Sequence, residues 1–187
     1  ALPLAGYQMD NQGRLHILYT DFSTNSHLKY TRRDVDGTWH TPILVHTQPA
    51  TSSADLVVDL DGNAHIVYST STLSYVQIHP DGTHTDPEIL VDPVRDIPDV
   101  YLQFTPGRGI IMVASSQTGW MAMQRSINGK WSRLSVENNQ GWAKQMRKDA
   151  AGNIYVLAVN RDTGNGLLDV RYAIRPAGED RFTTYVI

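Results

Sequence analysis

The 187-residue chain has no cysteine, so no disulfide staples it and no thiolate can act as nucleophile or metal ligand. That absence leaves the compartment open. Long hydrophobic runs are missing too. The longest reach about five or six residues, against the roughly 20 that a membrane-spanning helix needs, so membrane insertion is not expected. Net charge is −3 with no basic block, which gives nucleic acid no electrostatic foothold. No segment sustains apolar residues at i, i+3, i+4 and i+7, the mark of an amphipathic helix. The chain begins at Ala1, without Met and without a charged leader. A mature secreted or cell-surface protein, or a piece of a longer one, would look like this.

What is present is a repeat. The stretch Gly62-Asn63-Ala64-His65-Ile66-Val67-Tyr68 follows Asp59-Leu60-Asp61, and the same design appears as Gly13-Arg14-Leu15-His16-Ile17-Leu18-Tyr19 after Asp10. Weaker copies start at Gly107 and Gly152, so the turn glycines are spaced by 49, 45 and 45 residues. Short runs rich in Val, Ile, Tyr and Leu, bounded by Asp-Gly, Asn-Gly and Pro, read as strands and tight turns. A period of this length with four strands per copy predicts propeller blades. The expected fold is an all-β propeller of four four-stranded antiparallel blades in one domain over 1–187. The blades fall at about 1–48, 49–94, 95–137 and 138–187. The arrangement closes on itself or forms part of a larger propeller. An aromatic residue just after the last hairpin turn, at Trp39, Trp131 and Phe182, is expected to pack between blades.

The Gly13–Tyr19 and Gly62–Tyr68 strands, with Leu28-Lys29-Tyr30 and Leu73-Ser74-Tyr75 beside them, resemble the repeats of bacterial sialidase-like (BNR-type) propellers. Within that group they are similar to ulvan-lyase-like and lectin-like members. The spacing departs from the sialidase Asp-box, in which the aromatic follows the Gly by three residues; Gly37 and Trp39 are two apart. In the lyase-like relatives a His or Tyr removes the proton α to a uronate carboxylate, a Tyr protonates the leaving oxygen and an Arg neutralises the carboxylate. The resemblance therefore makes His16, Tyr19, His65 and Tyr68 the acid–base candidates if the chain is an enzyme. In strand geometry His65 and Tyr68 point to opposite faces, and the same holds for His16 and Tyr19. A residue repeated in each blade is more simply a packing residue, its ring bonded to neighbouring backbone.

The loops that gather at one end of such a propeller are rich in amides and hydroxyls and contain two tryptophans. Sugars are held by that mixture, so Trp120, Trp142, Asn25, Gln117, Asn160 and Arg161 are the expected ligand contacts. The leading expectation is a carbohydrate-binding, lectin-like module for a glycan or other small polar ligand. The alternatives are a glycan-cleaving lyase or hydrolase and an assembly propeller that pairs with other propeller chains or with itself. No cofactor or metal is expected. Asp59-Leu60-Asp61-Gly62-Asn63 looks like a calcium loop only at first glance, because no bidentate carboxylate follows.

Overall fold

A computed structural model of the chain describes residues 4–24, 26–47, 53–92, 99–116, 119–161 and 168–187. The fold is all-β, with one turn of 3-10 helix at Phe22–Thr24. Its strands fall into four consecutive meanders. The first holds β1 (Leu4–Met9), β2 (Leu15–Asp21), β3 (His27–Arg33) and β4 (Ile43–His46). The second holds β5 (Ala54–Val58), β6 (Ala64–Ser69), β7 (Leu73–Ile78) and β8 (Glu88–Val91). The third holds β9 (Val100–Thr105), β10 (Gly109–Ser116), β11 (Gly119–Arg125) and β12 (Trp131–Val136). The fourth holds β13 (Trp142–Lys148), β14 (Ile154–Arg161), β15 (Leu168–Arg175) and β16 (Arg181–Val186).

The chain divides into two compact units, Ala1–Val94 and Arg95–Ile187. In the first, the two meanders form separate four-stranded antiparallel sheets. Leu18, Leu28 and Tyr30 of one sheet pack on Leu56, Val58, Ala64, Ile66, Tyr68, Val76 and Ile78 of the other. In the second unit the two meanders share one eight-stranded sheet, ordered β13-β14-β15-β16-β12-β11-β10-β9. The join is a short parallel pairing of β12 with β16, Ser135 opposite Arg181 and Val136 opposite Phe182. Ile111, Val113, Trp120, Ala122 and Leu134 pack on Ala143, Met146, Ile154, Val156, Ala158, Ala173 and Phe182. Burial alternates with period 2 along β2, the mark of a strand covered on one face, whereas β6 and β10 are buried along nearly their whole length and read as continuous apolar runs.

The turn between the first two strands of each meander explains the repeated Asp and Gly. The amides of Gly13, Gly62 and Gly152 donate to the carbonyls of Asp10, Asp59 and Asp149, and Arg108 does the same to Thr105. The glycines take positive φ, 79°, 83° and 87°, where a side chain is disfavoured. The Asp side chain closes the turn from the other side: Asp59 Oδ1 accepts from the amides of Asp61 and Asn63, each at 2.9 Å. Asp10 Oδ1 accepts from Gln12 and Arg14 in the same way. Of the aromatics expected between blades, Phe182 is fully buried while Trp39 is 52% exposed. Trp39 instead forms an isolated bridge to Arg33 at the hairpin end.

Candidate functional site

The turn aspartates do a second job. His16 lies six residues after Asp10, on the covered face of β2. Its Nε2 stands 3.0 Å from Asp10 Oδ2 and its Nδ1 2.6 Å from the Tyr30 hydroxyl. The second meander repeats this with His65, Asp59 and Tyr75, at 3.0 and 2.7 Å. A carboxylate can only accept, so Nε2 carries the proton, and the Tyr30 hydroxyl donates to Nδ1. Burial drives the Tyr30 hydroxyl up to about 12, which keeps it a donor. Burial also lowers the basicity of His16, outweighing the pull of Asp10, so the ring is neutral. Asp10 is itself pushed up by burial. The bonds from Arg14, His16 and Gln12 outweigh that and hold it at about 2. Asp59 is held at about 2 by the equivalent bonds from His65 and Asn63.

His16 and His65 are thus packing residues, as their repetition suggests. Their partners are Asp and Tyr side chains, however, where backbone was expected. His16 is fully buried and His65 only 5% exposed, with both ring nitrogens of each already paired, so neither is placed to take a proton from a polysaccharide in this arrangement. Tyr19 sits on the opposite face from His16 and is half-buried. Tyr68 is buried and its ring lies tilted against that of His46, centroids 5.1 Å apart. The cavity beside that pair holds about 10 Å³, room for no more than one water.

The loop-end residues fare unevenly. Trp120 was expected at an exposed loop and is instead 1% exposed. It lies inside β11, opposite Ser115, with its ring edge-on to Phe182 at 5.4 Å. It is a core residue and offers no face to a sugar. Trp142 is 40% exposed, with the Lys144 ammonium 5.6 Å above its ring. Asn160 is half-buried on β14. Asn25 and Gln117 lie outside the described residues, as does the Arg161 side chain.

The first unit holds a groove of about 490 Å³, within the range of small-molecule sites. One wall is Tyr30, Arg32, His40 and Ile43; the other is the hairpin turn His79 to Thr83. Arg32 organises the first wall. Its Nε donates to Asp34 Oδ1 at 2.9 Å and its Nη1 to the Pro80 carbonyl at 3.1 Å, which ties the two meanders together. Asp34 Oδ2 lies 2.6 Å from His40 Nε2. Arg32 Nη2 is also 3.0 Å from that nitrogen. One nitrogen cannot both donate to Asp34 and accept from Arg32. The shorter contact and the carboxylate charge place the proton on Nε2. The bond from His40, with Arg32 nearby, lowers the Asp34 pKa. His40 Nδ1 is then a lone pair with no hydrogen bond among the described residues. Across the groove, His79 Nδ1 donates to Asn63 Oδ1 at 2.9 Å, which leaves Nε2 similarly available.

In the sequence Arg32 and Asp34 have no evident role, and His40 and His79 stand only as histidines in loops or near strand ends with no close-spaced pair on one face. The signal lay in departures from the repeat. The turn Asp34-Val35-Asp36-Gly37-Thr38-Trp39-His40 aligns with His79-Pro80-Asp81-Gly82-Thr83-His84-Thr85. Asp34 therefore matches His79, and His40 matches Thr85. Titratable residues that break a repeat are better site candidates than those that keep it. Among the described residues, no group of three or more His, Asp or Glu is placed to hold a metal ion.

No protein-family model matches the chain, and no curated protein matches it in sequence. Solved structures do match in fold. A protein of unknown function from Bacteroides caccae aligns with a TM-score of 0.64 and 9% identity, over 100% of this chain and 67% of that one. An ulvan lyase, a polysaccharide lyase, aligns with a TM-score of 0.63 and 14% identity, over 95% of this chain and 56% of that one. A catalytically inactive virginiamycin B lyase from Staphylococcus aureus, with quinupristin, aligns at 0.59 and 11%, over 100% and 70%. At such identities the likeness is one of fold: all-β, propeller-like, and shared with lyases.

Proposed function

We propose that the chain is a glycan-cleaving module of the lyase type, acting on an acidic polysaccharide in the groove of the first unit. The observation that carries this is the Asp34–His40 pair beside Arg32, facing His79 across a groove of about 490 Å³. Asp34 orients the imidazole, so His40 Nδ1 is the base. It takes the proton from the carbon α to a uronate carboxylate. The released electron pair forms a C=C bond as the β C–O bond breaks. The leaving oxygen takes a proton from His79 Nε2 when that ring is doubly protonated, its Nδ1–H staying on Asn63 Oδ1, and the charge of Arg32 offsets that building on the carboxylate. The fold likeness to an ulvan lyase supports the substrate class. The same reading takes the four meanders as four blades of one sialidase-like propeller domain.

The test is the ultraviolet absorbance of the unsaturated product on incubation with uronate-containing polymers. His40→Ala is expected to lower the rate by about 10²–10⁴-fold with the fold intact. An unchanged rate in His40→Ala removes the groove from the mechanism. Binding of the polymer with no product would instead favour the lectin-like reading. Trp142 and Asn160 would be its contacts, although Lys144 already stands over the Trp142 ring.

A further inference from the structure

The turn hydrogen bonds set the four meanders in one register, with Asp10, Asp59, Thr105 and Asp149 equivalent. Six residues on stand His16, His65, Ile111 and Tyr155. Eight residues on stand Leu18, Val67, Val113 and Leu157, whose cross-strand partners are Tyr30, Tyr75, Ala122 and Tyr172. In the first three meanders every one of these residues is at most 5% exposed. In the first and third, the next meander of the same unit covers this face. In the fourth it is open. Tyr155 and Leu157 are each 37% exposed, Tyr185 stacks on Tyr172 at 5.0 Å and is 46% exposed, and Trp142 stands on the same face opposite Val159.

The complementary face is open too, on the first meander. Tyr7 lies three residues before Asp10, where Leu56 and Met146 stand before their own turns. Leu56 and Met146 are core residues of their units, but Tyr7 is 68% exposed. Ile17 is half-buried where its equivalents Ile66 and Val156 are fully buried. Met9, beside Tyr7 on this face, is 63% exposed where Val58 is buried. The chain thus carries both halves of one more meander-on-meander interface, and each half is bare.

We propose that two copies of the chain join head to tail. The outward face of β13–β16 in one copy seats on the outward face of β1–β4 in the other, using the contacts that pack successive meanders within each unit. The partner is a second copy because the required surface, an apolar sheet face built from Tyr7, Met9 and Ile17 in the same turn register, is present and open on this chain itself. Such a contact is heterologous, and in the proposed dimer each copy uses both faces, so the contact is made twice. The proposal is independent of the chemistry assigned to the groove.

The experiment is sedimentation velocity on the whole chain across a wide concentration range, with one variant per face. The wild type is expected to shift from monomer to dimer mass as concentration rises. Leu157→Arg, or Tyr185→Glu if that variant folds poorly, spoils one face; Tyr7→Glu spoils the other. Each alone is expected to weaken dimerisation about 30-fold or more, with an unchanged circular dichroism spectrum. Mixing the Leu157→Arg and Tyr7→Glu proteins pairs one intact face of each kind. The mixture is expected to recover a dimer that neither forms alone at that concentration. A wild type that stays monomeric throughout overturns the proposal. So does a dimer indifferent to these substitutions, or a mixture that fails to complement.

Discussion

Tyr30 and His16 are joined across neighbouring strands by a 2.6 Å hydrogen bond, and Tyr75 and His65 reproduce it at 2.7 Å one repeat later. The bond is the upper half of a buried chain that ends on the turn aspartate. Its stability contribution lies in what its loss would strand. Tyr30→Phe leaves the His16 Nδ1 lone pair buried without a donor, and should cost about 1–3 kcal/mol in chemical denaturation. The third meander has Thr105, Ile111 and Ala122 at the same positions, so the strands form without the network. A loss near zero would mean that the ring finds another donor.

The same network sets the acid limb of stability. His16 has a lowered pKa when folded. The unfolded chain therefore takes up a proton first, and stability falls as pH drops below about 6.5. Asp10 and Asp59 are held at about 2, against an ordinary 3.8. Their stabilisation is complete above the unfolded value and is lost as pH falls from about 4 towards 2. By linkage each contributes about 2 kcal/mol. Asp10→Asn should be less stable at neutral pH and should flatten the lower part of the limb in a pH series of melts.

The two tryptophans separate cleanly. Trp120→Ala should destabilise the second unit by about 3–5 kcal/mol, because it empties the space against Phe182. Trp142→Ala should change stability by less than about 0.5 kcal/mol at a concentration where the chain is monomeric. Equal melting points for the two variants would contradict the burial described for Trp120.

In the groove, Asp34→Asn keeps the side-chain shape but weakens control of the His40 tautomer. It should lower kcat for polymer cleavage by about 10²-fold with little change in KM. Arg32→Ala should act on KM as well, since the guanidinium meets the substrate carboxylate in this reading. Steady-state kinetics on one uronate polymer distinguishes the two.

Two glycines of one turn should differ. Gly109 has φ of 92°, and a Cβ there would collide with the Arg125 carbonyl oxygen. Gly109→Ala should cost more than about 2 kcal/mol. Gly107 also has positive φ but has open space around it, so Gly107→Ala should cost about 1–2 kcal/mol of backbone strain. Thermal melts of the pair give the comparison.

The strands were legible because their signals are local. Turn glycines and turn aspartates mark the starts of Leu15–Asp21 and Ala64–Ser69 without reference to the rest of the chain, and short β-branched, aromatic and aliphatic runs mark the strands themselves. Trp120 follows Gly119 and reads as a loop residue, but β11 starts at Gly119, and that boundary puts the ring in the core. The His16 partners were hidden for a different reason. Asp10 is a neighbour along the turn, but Tyr30 reaches His16 across the β2–β3 pair, and sequence spacing does not announce a side-chain bond between strands. The groove was hardest to see. Arg32 meets Pro80 across 48 residues, and His40 carries no motif of its own.

The parallel join of β12 to β16 has a consequence for solubility. An outer strand presents a row of unpaired amides and carbonyls, the usual template on which another chain adds and fibrils begin. The second unit pairs the last strands of its two meanders, β12 and β16, at Ser135–Arg181 and Val136–Phe182, and so withdraws part of both templates. The first unit has no such join. The corresponding last strands, β4 and β8, pair on one side only among the described residues, and are protected by being four residues long and by Pro42 and Pro87 just ahead of them. Lengthening those strands, or replacing either proline, would create aggregation seeds in the first unit without touching the folded core.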